Sequence, residues 1–130
     1  MRILVTGSRV WPDSKEVQAR IVQVIVNQPY GTHVVVVHGD CPTGADRAAR
    51  EFLDDIEKQN LDYISQETHP ADWNKHGKAA GPLRNQEMVD LGADVCLAFP
   101  LGESRGTRDC MRRAEAAGIP VINYGENRVL

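Results

Sequence analysis

The sequence predicts an α/β domain: a doubly wound, mainly parallel sheet of five strands with helices on both faces. Three observations lead there. Short apolar runs alternate with amphipathic stretches in the order βαβαβαβαβ along 130 residues, and parallel neighbours need such crossover connections, which are right-handed. Several of the runs are almost continuously apolar, as strands buried on both faces are. Glycine- and hydroxyl-rich turns follow the first, second and fourth runs, where strands of such a sheet hand over to helices. The length suits a single unit over residues 1–130 with one substantial core.

The first strand is RILVT (2–6), ending at Gly7 and Ser8. From Ser14, an N-cap candidate, Val17, Ile21, Val24 and Ile25 recur at helical spacing until Pro29 and Gly31 stop the helix. HVVVVHG (33–39) is a β-branched run too short for a helix. Ala45, Ala48, Ala49, Phe52, Leu53 and Ile56 then trace one apolar helical face. LDYISQETH (61–69) reads as the third strand, and the polar PADWNKHGKAAGP (70–82) as a functional, lid-like loop. Residues 83–91 form a helix closed by Gly92, ADVCLAFP holds the fourth strand, residues 106–117 form a helix ended by Gly118, and IPVINY is the fifth strand.

Composition narrows the function classes. With 42% hydrophobic and 25% charged residues the chain reads as a folded globular protein. A formal net charge of -3 disfavours a broad electrostatic footprint for nucleic acid while leaving room for a local basic pocket. MRILVTGSR lacks the long apolar core of a signal peptide, and no run approaches the roughly 20 residues of a membrane-spanning helix, so a cytoplasmic location without membrane association is expected. Cys41, Cys96 and Cys110 form no CxxC pair, and with His33, His38, His69 and His76 they give no zinc spacing. Free thiols, no metal and no cofactor are expected.

Gly7-Ser8-Arg9, Gly39 to Asp46 and Gly102 to Thr107 all fall on the carboxyl edge of the sheet, where open α/β sheets bind ligands. Helix N-termini there expose unpaired N–H groups and a partial positive charge, and glycine lets backbone come close to a guest. Phosphate fits that environment. Arg9, Arg84 and Arg105 add charge-assisted donors in fork geometry. Trp11 and Trp73 are candidates for stacking on a base.

Three familiar motifs do not fit. GESRG matches the GxSxG nucleophile elbow, but every histidine precedes Ser104, whereas hydrolases of that fold carry acid and histidine after the serine. GDCPTGAD has the glycine separation of a P-loop, but Ala45-Asp46 stand where Lys and Ser/Thr would be needed. TGSRVW does not supply the GxGxxG dinucleotide fingerprint.

TGSR after the first strand, HGDCPTGADRAA after the second, RNQEM on the third helix and SRGTRD opening the fourth together resemble the SLOG superfamily, which includes the Smf/DprA DNA-processing proteins and the LOG-type nucleotide phosphoribohydrolases. Within it the chain is most similar to the YspA-like, cpYpsA-related branch of bacteria and their phages. The resemblance spans residues 2–124 and implies a Rossmann-like domain that binds a nucleotide or nucleotide-derived ligand. It maps Gly7, Ser8 and Arg9 onto the first loop, Gly39, Gly44, Ala45 and Asp46 onto the second, Arg84 and Asn85 onto the helix motif, and Ser104, Gly106 and Thr107 onto the phosphate turn. It also implies a homodimer.

LOG enzymes carry PGGxGTxxE where this chain has GESRGTRDC, so Cys110 stands in place of their Glu and Asp109 lies one residue earlier. One residue turns a helical side chain by about 100°. Binding without catalysis is therefore the first expectation. The alternative is a LOG-like phosphoribohydrolase that releases free base, with Arg84 holding phosphate and Asp109 or Asp46 stabilising the ribose cation and activating water. DprA-like single-stranded DNA binding is the third, disfavoured by the acidic balance.

Overall fold

The alternating runs form one open sheet. The computed structural model describes residues 1–125 in the order β1 (Arg2–Gly7), α1 (Ser14–Val26), β2 (Val34–His38), α2 (Gly44–Lys58), β3 (Ile64–Thr68), α3 (Trp73–His76), a 3-10 turn (Gly77–Ala79), α4 (Ala80–Asp90), β4 (Val95–Phe99), α5 (Arg105–Ala116) and β5 (Val121–Asn123). The expected single unit over 1–130 also takes in residues 126–130, which lie outside the described residues. All pairings are parallel and the strand order is β3-β2-β1-β4-β5. This is the α/β, Rossmann-like arrangement expected.

Strand alternation sorts the core into two layers. Ile3 and Val5 of β1 point with Val36 and Leu97 toward α1 and α2, meeting Val17, Ile21, Ala45, Ala49 and Leu53. Leu4 points the other way with Val37 and Cys96, onto Met88 and Val89 of α4 and Cys110 and Ala114 of α5. Side chains alternate with period 2 along a strand, so a five-residue run serves both faces. β4, an interior strand between β1 and β5 with helices over both faces, is buried along its whole length.

The strand order also decides where a ligand can enter. Chain from β1 passes to α1 on one face, while chain from β4, its neighbour in the sheet, passes to α5 on the other. The two connections diverge at the carboxyl ends of adjacent strands, and a crevice opens between them.

Three local expectations change. Asp13, not Ser14, caps α1, its carboxylate accepting from Glu16 N at 3.0 Å. Ser14 begins the helix instead. The segment 70–82 is not one loop: Asp72 caps the short α3 by accepting from Lys75 N at 3.0 Å, and α4 starts at Ala80, ahead of the expected residue 83. Pro82 does not stop the helix, because a proline in a helix's first turn replaces a donor that would have no partner anyway.

Away from the crevice, Arg2 ties β1 to β3 through two bonds to the Glu67 carboxylate at 2.7 and 3.2 Å, and His69 Nε2 lies 2.8 Å from the same group. The Arg2 guanidinium first, and His69 after it, hold the Glu67 carboxyl down at about 2. A carboxyl depressed on folding contributes stability above its unfolded pKa of about 4.3, and that contribution is lost as pH falls toward the folded value. Glu67→Gln is expected to flatten stability between about pH 4.5 and 2, read by urea denaturation across that range. Partial exposure of both side chains keeps the effect to about 1 kcal/mol.

Candidate ligand-binding site

The crevice is a cavity of about 660 Å³ at the carboxyl ends of β1 and β4, walled by the β1–α1 loop, the start of α4 and the first turns of α5. That volume is ordinary for a small-molecule site. Gly7, Ser8, Arg9, Asp46, Arg84, Asn85, Ser104, Arg105, Gly106, Thr107 and Asp109, all expected from sequence, line it together with Trp73. Gly39, Gly44, Ala45 and Trp11 do not line it.

The last four act by packing. A Cβ on Gly39 would strike the Arg84 guanidinium, one on Gly44 would strike the Ser8 carbonyl and the Arg9 backbone, and one on Gly7 would strike Ala45 Cβ. These glycines therefore bring chain segments together beneath the cavity. Ala45 is fully buried, and its N–H donates to Ser8 O at 3.2 Å, pinning the start of α2 to the first loop. Trp11 is a core residue, 6% exposed and edge-on to Phe99 with ring centroids 5.2 Å apart. It offers no face to a base. The expected stacking role does not hold for Trp11: Ser8 O accepts from Trp11 N at 3.2 Å, folding the first loop so that the indole packs inward.

The first turn of α5 is built to leave donors available. Ser104 sits at the N-cap in left-handed conformation, with φ 41, and its side chain caps no backbone N–H. Its hydroxyl donates instead to Thr107 Oγ1 at 2.9 Å, which leaves the Thr107 proton for another acceptor. N–H groups of a helix's first turn have no intrahelical partner, and they carry the positive end of the helix dipole. On the opposite wall the Ser8 hydroxyl accepts from Val10 N at 3.1 Å, so its own proton can point outward.

Arg84 and Asn85 join the walls. Arg84 Nη1 donates to Gly39 O at 2.8 Å and His69 O at 3.3 Å, while its Nε donates to Asn85 Oδ1 at 3.0 Å. Asn85, almost fully buried, donates through Nδ2 to Gly106 O and to Asp109 Oδ2, each at 3.1 Å. One amide thus connects the arginine, the opening of α5 and a carboxylate. Among the described residues no carboxylate pairs with Arg84, whose bonds run to carbonyl and amide oxygens.

The two carboxylates of the cavity differ in environment. Burial pushes the Asp46 carboxyl up, against opposing pulls from His38, Cys41 and Arg84; Cys41 N donates to its Oδ2 at 3.3 Å. Burial also raises Asp109, but the Arg113 guanidinium 2.8 Å away and Asn85 outweigh it and hold that carboxyl below its usual range. Cys110, at the position of the LOG glutamate, faces the core between α5 and the sheet, fully buried, its thiol pushed up to about 11. Asp109, one residue back, is the side chain that reaches the cavity.

Asp46→Asn is expected to raise the denaturation midpoint at pH 7, since it removes a carboxyl whose ionised form is disfavoured by burial. An acid raised on folding costs stability above its unfolded pKa, so the gain should fade as pH drops toward about 3.9. Thermal melts at pH 7 and pH 4 check both halves.

Cys41 and Arg112 also line the cavity and were not anticipated. Arg112 lies seven residues after Arg105, two helical turns along one face, so helical periodicity carried to the end of α5 would have found it. Cys41 left no comparable signal.

Comparison with known proteins agrees with this architecture. The chain matches the YspA, cpYpsA-related SLOG family over residues 1–76. It belongs to that family. The "Gene 61 protein" of Mycobacterium phage D29 is 52% identical over 125 residues, 96% of this chain and 97% of that protein. The family match covers the first two turns and Trp73 of this SLOG domain, and the phage relative extends the likeness over most of the rest. No solved structure matches the chain. Among the described residues of the SLOG chain, no helix is long and apolar enough to cross a membrane.

Proposed function

We propose that this protein binds a phosphorylated nucleotide or nucleotide-derived small molecule in the crevice between β1 and β4. One observation supports the reading above the rest: the uncapped first turn of α5 shares one cavity with Arg9, Arg84 and Arg105. Oriented N–H groups and guanidinium forks converge there on one volume, and an anion with several acceptor oxygens satisfies both. Membership of the SLOG family fits a nucleotide-related ligand.

Calorimetric titration of ligand-stripped protein with mono-, di- and cyclic nucleotides tests the proposal. Binding of at least one, weakened by 150 mM added salt, is the expected result, because exposed Arg9 and Arg105 attract the anion through solvent. Heat-silent titrations across the set would overturn it.

Asp109 favours a second reading, hydrolysis of a nucleoside 5′-monophosphate to free base and ribose 5-phosphate. It lines the cavity and is held ionised by Arg113 and Asn85. In this reading Arg84 holds the phosphate while the Asp109 carboxylate stabilises positive charge at the ribose C1′ as the bond to the base breaks. Water supplies the new C1′–O bond, and its proton goes to the departing base. Chromatographic detection of free base, absent in Arg84→Ala, would support it; no base at high protein concentration would eliminate it.

A further inference from the structure

Among the described residues, Trp73 is the only aromatic side chain lining the cavity. It lies on α3, is 49% exposed, and its Cη2 sits 3.3 Å from where a Cβ on Gly81 would stand. The missing side chain at Gly81 gives the indole a flat seat on the opening of α4. The guanidinium of Arg9, from the facing β1–α1 loop, lies over the ring with its Cζ 5.6 Å from the centroid. Among the described residues, no carboxylate pairs with Arg9, and its guanidinium packs over the indole instead. The ring face and the cation thus satisfy each other across the mouth of the cavity.

Each of these groups has a stronger partner within one type of ligand. A planar base stacks on an indole more strongly than an exposed guanidinium does, and a guanidinium gains more from a phosphate than from a ring face. We infer that Trp73 and Arg9 form an exchangeable pair that selects ligands carrying both an aromatic base and a phosphate: the base takes the indole face, and Arg9 moves to the anion. This rests on the nucleotide-site reading and adds to it a requirement for the base, which the helix amides and Arg84 do not impose. A sugar phosphate lacking a base would leave the Arg9–Trp73 contact in place. The short α3 gives the segment 70–82 a specific role, presenting one ring to the site.

Calorimetry of AMP, ADP and ribose 5-phosphate on the parent protein, Trp73→Ala and Trp73→Phe tests the inference. AMP or ADP is expected to bind the parent and to lose about tenfold or more in affinity in Trp73→Ala. Trp73→Phe should recover most of that affinity, and ribose 5-phosphate should bind all three proteins alike. Acrylamide quenching gives a second readout: Trp11 is buried, so quenching reports Trp73, and the nucleotide but not ribose 5-phosphate should protect it. Nucleotide affinity unchanged in Trp73→Ala, or an equal loss for ribose 5-phosphate, overturns this inference while leaving the site in place. Failure of the parent to bind AMP, ADP and ribose 5-phosphate overturns this inference, and silence across the full nucleotide set overturns the site reading with it.

Discussion

Gly44→Ala should lose about 3–5 kcal/mol of stability, a large fraction of the roughly 5–15 kcal/mol that holds a typical domain folded. Two penalties coincide at this residue. Its φ is 72, in the left-handed region that costs a side-chain-bearing residue about 1–2 kcal/mol. The added Cβ would also overlap the Ser8 carbonyl oxygen and stand 2.6 Å from Arg9 Cα, both backbone atoms fixed by the tight first loop. Gly92→Ala supplies the control, because Gly92 has φ 84 and open space around the missing Cβ, so only the first penalty applies. Urea denaturation should therefore place Gly44→Ala well below Gly92→Ala, and equal midpoints would show that the close approach between the first two loops carries no weight.

Gly39→Ala should separate binding from folding. The new Cβ would meet the Arg84 guanidinium, with Cζ 2.7 Å away, and the end of an arginine can move where backbone cannot. In moving, Arg84 abandons Gly39 O and His69 O and leaves the position from which it faces the cavity. The expected result is a near-parental melting profile with nucleotide affinity lowered about 10- to 100-fold, the worth of one charged hydrogen-bonding group at about 1.5–3 kcal/mol. Arg84→Ala should show a similar loss. The double variant should bind no worse than Arg84→Ala alone, because both changes remove the same contact. Additive losses in calorimetry would mean that Gly39 serves the ligand by another route.

Much of this fold is legible in the sequence because period and punctuation agree. HVVVVHG can only be a short strand, and the stripe from Ala45 to Ile56 can only be a helix lying on a sheet. The edge on which the glycine turns gather also follows from the βα order. Direction is harder to read. Gly7, Gly39 and Gly44 look like ligand-facing glycines, yet all three serve close chain approach and only Gly7 also lines the cavity, and which backbone or side chain a missing Cβ admits depends on tertiary contacts. Trp11 and Trp73 look equivalent as residues, but a hydrogen bond in the first loop turns one inward while Gly81 seats the other at the cavity. The helical rotation from Cys110 to Asp109 is predictable, and so is the i,i+4 pairing of Asp109 with Arg113 on α5; that Asn85 would fix Asp109 at the cavity is not, since it reaches across from α4.

Backbone amide chemical shifts during titration with AMP test the central claim most directly, because they report which N–H groups meet the anion. The largest changes should fall on Arg105, Gly106 and Thr107, joined by Arg9 across the crevice. Saturable binding whose shifts cluster elsewhere, with the opening of α5 unmoved, would contradict the assignment of this rim as the phosphate site.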